Sequence, residues 1–236
     1  MRKRGLWILG LSVGCALLVV SFIVASFTGI PESANAFHRA TRYEITVVNM
    51  TRGQIMSPPV VAIHHGRMEP LFSVGSPASE GVTAIAEDAV NDTLLAALED
   101  SPDVQDFGVI TGAMGPIMPG ETASIELEGG SFARRVSLVG MLVTTNDAFY
   151  GLTGVRAPFF GSDTHRTPAY DSGTEENNED CDFIPGPPCG NPGVRATENA
   201  EGYVHIHAGV HGEGDLVPAD HDWRNPVAQV TIRRVR

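Results

Sequence analysis

From Arg42 to Met50 the chain begins with a period-two alternation, Tyr43, Ile45 and Val47 on one face with Glu44 and Thr46 between them, and predicts a half-buried strand. Thr51 to Gln54 supplies a turn, and Pro59 to His64 is a second short apolar run. Over residues 82–99 the period changes. Ala84, Ala86, Ala89, Val90, Leu94, Leu95 and Leu98 recur mostly at three- and four-residue steps, which predicts helix, with Asp88 or Asn91 placed to cap its stronger half. Strand patterns return at Asp106–Thr111, Thr122–Leu127 and Phe132–Thr145. The last is continuous enough to predict a central strand buried on both faces.

From Asn146 to about Ala200 the chain is rich in Gly, Pro, Asp, Glu and Asn, with few apolar pairs. That stretch reads as a long, acidic, functional loop, 146–200. It is embedded in one domain, 37–236, because strand patterns resume at Tyr203–His207 and at Pro226–Val235, where Ala228, Val230 and Ile232 share a face. The predicted class is therefore mainly β: a two-sheet antiparallel sandwich with one or two helices in its connections. Composition agrees, since 26 Gly and 16 Pro among 236 residues suit many short strands and 42% hydrophobic residues suffice for a core.

Charge narrows the partners. A formal net charge of −12 argues against nucleic acid, which needs a basic face. Arg2, Lys3 and Arg4 precede an uncharged apolar run, Leu6 to Ile30, and then Ala34-Asn35-Ala36, the pattern of a signal peptide over 1–36 with Phe37 as the mature start. A second reading is a retained anchor, because the run is long enough to span a bilayer. Lipid attachment at Cys15 is disfavoured by Ser12 three places before it. The expected location is periplasmic, cell-surface or secreted, with membrane contact only through the N-terminal segment if it stays uncleaved. Cleavage removes three positive charges and Glu32, taking −12 to −14. It leaves Cys181 and Cys189, an even pair that an oxidising compartment would join.

The densest acid cluster is Asp171-Ser-Gly-Thr-Glu175-Glu176-Asn-Asn-Glu179-Asp180. Gly173 lets a tight turn bring the carboxylates of Asp171 and Glu175 to one point, and Asp147 projects at the end of the long strand where the loop must return. Several carboxylates with carbonyl and amide oxygens nearby suit Ca²⁺, which takes six to eight oxygen ligands. Zn²⁺ would prefer His or Cys.

Those residues also carry a likeness. Phe72-Ser-Val-Gly75, Ala78-Ser79, Ala86-Glu87-Asp88, the strand leading to Asp147, Asp171-Ser-Gly-Thr-Glu175 and Asp222-Trp223-Arg224-Asn225-Pro226-Val-Ala228 together resemble the spondin domain of secreted matrix proteins and exported bacterial proteins, over roughly residues 42–235. The resemblance implies a C2-type sandwich that binds Ca²⁺ and serves adhesion and recognition, without enzymatic activity. The ligands it implies fall on Asp147, Asp171 and Glu175. Glu175 stands where the animal members have Asp, one methylene shorter. The partner implied is an extracellular or cell-surface ligand of unknown identity.

A second constellation is Tyr203-Val-His205-Ile-His207-Ala-Gly-Val-His211. On a strand His205 and His207 share a face, and with His211 they form a set that suits Zn²⁺ or Cu²⁺. The competing function on that set is a metal-dependent enzyme, an oxidoreductase or hydrolase.

Overall fold

In the computed structural model of the protein, which describes residues 41–130 and 132–235, strand β1 (Thr41–Asn49) buries Tyr43, Ile45 and Val47 and leaves Glu44 and Thr46 less covered. Strand β2 (Val60–His65) is buried on both faces. Helices α1 (Glu80–Asp88) and α2 (Asp92–Glu99) follow, then β3 (Val104–Val109), β4 (Thr122–Gly129) and β5 (Ala133–Met141). The chain continues through β6 (Ala148–Arg156), β7 (Ser162–Thr167), β8 (Ala169–Asp171) and the short β9 (His205–Ile206). A four-residue helix α3 (Pro218–His221) and strand β10 (Ala228–Arg234) complete it. The export segment expected over 1–36 lies outside the described residues.

Two antiparallel sheets form a β-sandwich. One has the order β4-β1-β10-β7 and the other β3-β2-β5-β6-β8-β9. Between them lie Tyr43, Ile45 and Val47 of β1, Val61 and Ile63 of β2, Val136 and Leu138 of β5, and Val230 and Ile232 of β10. The six-stranded sheet has a second buried face. Val60, Ala62, Val139, Met141 and Phe149 pack there with Val82, Ile85, Leu94 and Leu98 of the two helices. Burial on both sides explains why apolar residues fall on both faces of β2 and of the second half of β5 while β1 alternates. Each fully buried Ile, Leu or Val side chain contributes about 1.5–3 kcal/mol.

The helical pattern over 82–99 is two helices, not one. Ser79 caps α1 by accepting the Val82 N–H, and Ala89 closes it in the left-handed region at φ 57°. The Asn91 side chain makes no cap bond. It donates instead to the Pro58 carbonyl at 3.1 Å, tying the helix pair to the sheet.

A larger correction concerns 146–200. Almost its first half is built of strands: β6, β7 and β8 lie there, and the true loop begins only after Asp171. Glycines hid β6, and their place in it is structural. A Cβ on Gly151 would lie 2.7 Å from the Leu138 carbonyl oxygen, so close pairing with β5 requires glycine. β7 is polar because it is the edge of the four-stranded sheet, where His165, Thr164 and Asp163 pair with Val230, Thr231 and Ile232. The tyrosine-led strand expected at 203–207 shrinks to His205–Ile206.

Cys181 and Cys189 form a disulfide that closes a small turn in the loop. Asp180 caps the 3₁₀ turn Cys181–Phe183 inside it. Among the described residues no helix is long and apolar enough to cross a membrane.

Candidate metal centre

Asp147 does not end the long strand. β5 ends at Met141, Leu142 still bridges Met56, and a tight turn follows, in which the Thr145 hydroxyl donates to the Leu142 carbonyl at 2.6 Å and accepts the Ala148 N–H at 3.1 Å. Asp147 therefore sits immediately before β6. Asp171 ends β8, whose register sets it opposite Ala148. Two carboxylates distant in sequence thus emerge at the same end of neighbouring strands.

The turn after Asp171 wraps the first of them. Asp147 Oδ2 accepts the Ser172 hydroxyl at 2.9 Å, the Thr174 N–H at 2.8 Å and the Glu175 N–H at 3.0 Å. Asp171 Oδ1 accepts the Gly173 N–H at 2.7 Å. Gly173 holds φ +67°, and a Cβ on it would lie 2.3 Å from the Tyr203 carbonyl oxygen. Only glycine lets this turn close against the segment that carries the histidines.

Glu175 is fully buried. Its Oε2 accepts the Ala196 N–H at 3.2 Å, and its Oε1 lies 3.4 Å from Arg195 Nε. Arg195 is shared, since it also pairs with Glu87 and Asp88 at the end of α1. Asp147, Asp171 and Glu175 thus lie on or beside one turn, but their carboxylate oxygens do not gather within 4.8 Å of one another; among the described residues only Asp171, Glu201 and His205 do.

Electrostatics there are unfavourable as they stand. Burial pushes Asp147 above the ordinary carboxylate range, against the Glu175 and Thr174 N–H bonds and the Ser172 hydroxyl. Burial, and then the neighbouring Asp147 charge, push Asp171 to about 7. Burial pushes Glu175 to about 8, with the Ala196 N–H and Arg195 opposing. Asp147 Oδ1 and Glu175 Oε1 are buried with no hydrogen-bond donor. Orphaned carboxylate oxygens in an all-oxygen set fit a hard divalent cation.

The histidines do not act as a set. His205 lies opposite Asp171 in the β8–β9 register, with Nε2 3.7 Å from Asp171 Oδ1. His207 is buried against the Trp223 ring, its Nε2 3.9 Å from Asp171 Oδ2. The Gly209 N–H donates to His207 Nδ1 at 3.0 Å, so the neutral ring carries its proton on Nε2 and offers no lone pair there. His211 is exposed and contributes its backbone N–H to Glu179. The predicted His205–His207–His211 ligand set is thus corrected: the three rings do not converge, and of them only His205 faces two carboxylates, Asp171 and Glu201.

Sequence reasoning missed two residues of this region, Glu201 and Arg195, and gave a third, Glu179, another role. Glu201 lies 3.6 Å from His205 Nε2, and candidate ligand atoms of Asp171, Glu201 and His205 all lie within 4.8 Å of one another. Its only sequence signal is the four-residue step to His205. Arg195 gave none. Glu179 was counted in the acid cluster, yet it is a structural clamp, taking the N–H groups of His211, Gly212 and Glu213.

No protein-family model matches the chain, and no curated protein is significantly similar to it.

Proposed function

We propose that this chain is an exported, calcium-binding recognition and adhesion module of the spondin type, without catalytic activity. One observation carries the reading: Asp147 Oδ1 and Glu175 Oε1 are buried oxygens with no donor, beside a third buried acid, Asp171. A buried carboxylate oxygen without a donor is costly, and a shared dication removes that cost for more than one at once. Asp147, Asp171 and Glu175 would hold the ion, and backbone or water oxygens would complete its shell. When bound, Ca²⁺ supplies charge neutralisation that fixes the acidic loop; the loop then presents a defined surface to a ligand whose own carboxylate can enter the shell. The spondin likeness points to the same three residues, and a net charge of −12 supports the same electrostatic logic.

Calorimetric titration of the purified protein with Ca²⁺, with terbium luminescence as the second readout, tests the reading. Saturable one-site binding that is lost in Asp147→Asn supports it. Absence of binding by both methods overturns it.

A further inference from the structure

The strand pair β8–β9 builds a second arrangement beside the first. Asp171 and His205 are register partners, and the Gly202 N–H donates to the Gly173 carbonyl at 2.8 Å, so the segment 201–205 is zipped onto the 171–175 turn. Side chains opposite each other across such a pair stand about 5 Å apart at Cβ, and here both reach the same point. His205 Nε2 lies 3.7 Å from Asp171 Oδ1 and 3.6 Å from Glu201 Oε1.

The tautomer of His205 gives these distances a chemical meaning. His205 Nδ1 lies 3.1 Å from the Ile206 carbonyl oxygen, which can only accept, so Nδ1 carries a proton. The Ile206 carbonyl and the Asp171 and Glu201 carboxylates favour a proton on the ring; once Nε2 gives it up, its lone pair faces both acids. An N–H bonded to a backbone carbonyl, with the opposite nitrogen facing acids, is the support that metal-binding histidines require. His207 has the reverse tautomer and serves differently. Its buried Nε2–H lies 3.9 Å from Asp171 Oδ2 without a hydrogen bond, and the Asn177 side-chain amide donates to that oxygen instead.

We propose that Asp171, Glu201 and His205 form a seat for a borderline transition-metal dication of the Zn²⁺ type, adjoining the proposed calcium centre at Asp171. Ligands at 2.0–2.2 Å around a tetrahedral ion stand about 3.4 Å apart. The observed 3.6 and 3.7 Å spacings are within a few tenths of an ångström of that edge. Imidazole favours Zn²⁺ over Ca²⁺, which selects oxygen alone. Negative charge is in surplus: Asp147, fully buried with Oδ1 lacking a donor, interacts electrostatically with both Asp171 and Glu201. Three protein ligands leave the fourth position open, and exposed Glu201 sets the seat on the solvent side. This seat shares Asp171 with the calcium reading and needs no contribution from Glu175, so either can fail alone.

The test is calorimetric titration of the full chain with ZnCl₂ and, separately, CaCl₂, in the wild type and in Glu201→Gln, His205→Gln and Glu175→Gln. The expected result is one Zn²⁺ per chain, with affinity reduced more than tenfold in Glu201→Gln and in His205→Gln. Glu175→Gln weakens Ca²⁺ and leaves Zn²⁺ binding in place. The ring resonance of His205 Nε2 shifts on Zn²⁺ addition in ¹⁵N spectra, a signature that general surface binding does not give. Zn²⁺ affinity unchanged in both Glu201→Gln and His205→Gln, or a His205 ring that does not respond to Zn²⁺, overturns the proposal. Loss of Ca²⁺ binding alone overturns the calcium reading and leaves this one standing.

Discussion

The carboxylate of Asp147 accepts the backbone N–H of Glu175 at 3.0 Å, so one predicted ligand shapes the turn that carries another. Oxygen Oδ2 does this work while Oδ1 stays without a donor. The two oxygens predict opposite results for two substitutions. Asp147→Asn keeps an acceptor for the turn and removes a buried charge. It should abolish Ca²⁺ binding while leaving the cation-free protein equally or more stable near pH 8. Asp147→Ala strands the buried N–H of Glu175 and that of Thr174 and should cost about 2–4 kcal/mol. Thermal melts of both variants in EDTA and in calcium check the pair of outcomes.

Proton and cation compete for the same oxygens. The folded protein holds Glu175 at about 8 and Asp171 at about 7, above the ordinary carboxylate range of the unfolded chain. The folded state therefore binds protons more tightly than the unfolded one. Without a cation, the contribution of these groups is fully present below about pH 4 and is lost as pH rises through 7 to 8. Calcium needs the deprotonated acids, so its stabilising effect grows over the same interval. Melting temperature in EDTA should lose ground from about pH 5 to 8, and the calcium-induced increment should widen. A calcium increment independent of pH contradicts this.

Much of the sandwich was legible because it follows from periodicity. Alternation of Tyr43, Ile45 and Val47 marked β1, and the apolar residues on both faces of β5 marked a strand covered on both sides. β6 was not legible, since Gly151 and Gly154 resemble loop residues until the close approach of Gly151 to Leu138 and the positive φ of Gly154 are seen. Polar β7 carries no burial signal because it lies at an edge. At the site, Asp171 and Glu175 were legible from the glycine between them. Asp147 was legible as a rim residue, though on the wrong side of its turn. Glu201 and Arg195 were not, because what brings them in is pairing between β8 and β9 and an ion pair to α1, both long-range. The histidine tautomers were beyond sequence altogether, since Gly209 and Ile206 set them through backbone groups.

Arg195 already places one cation beside Glu175. Its guanidinium pairs with Glu87 and Asp88 and lies 3.4 Å from Glu175 Oε1, so it holds part of the charge that calcium would otherwise meet. Arg195→Gln should lower the melting temperature in EDTA, because Glu87, Asp88 and Glu175 lose their shared partner. The same change should enlarge the calcium-induced rise and tighten calcium binding, because Glu175 is freed. Parallel melts and titrations of this variant check both directions. A variant that weakens calcium binding would mean that Arg195 positions Glu175 for the ion and does not compete with it.

His207 gives the protein a sensitivity on the acid side that the carboxylates do not. Burial, with repulsion from His205 and His211, lowers it to about 3, while the unfolded ring titrates near 6.5. The unfolded chain thus takes up a proton that the folded ring refuses. Stability from this group is present above about pH 6.5 and is lost as pH falls toward 3, at about 1.4 kcal/mol per pH unit once well below 6.5. His207→Gln keeps an oxygen for the Gly209 N–H and removes the titration. At pH 7 to 8 the variant should be less stable than the wild type, because Gln loses the packing of the ring on Trp223. As pH falls through 6 to 4 that deficit should shrink and then reverse. Urea unfolding of both proteins at several pH values measures the crossing, and parallel curves would show that the ring is protonated in the folded state after all.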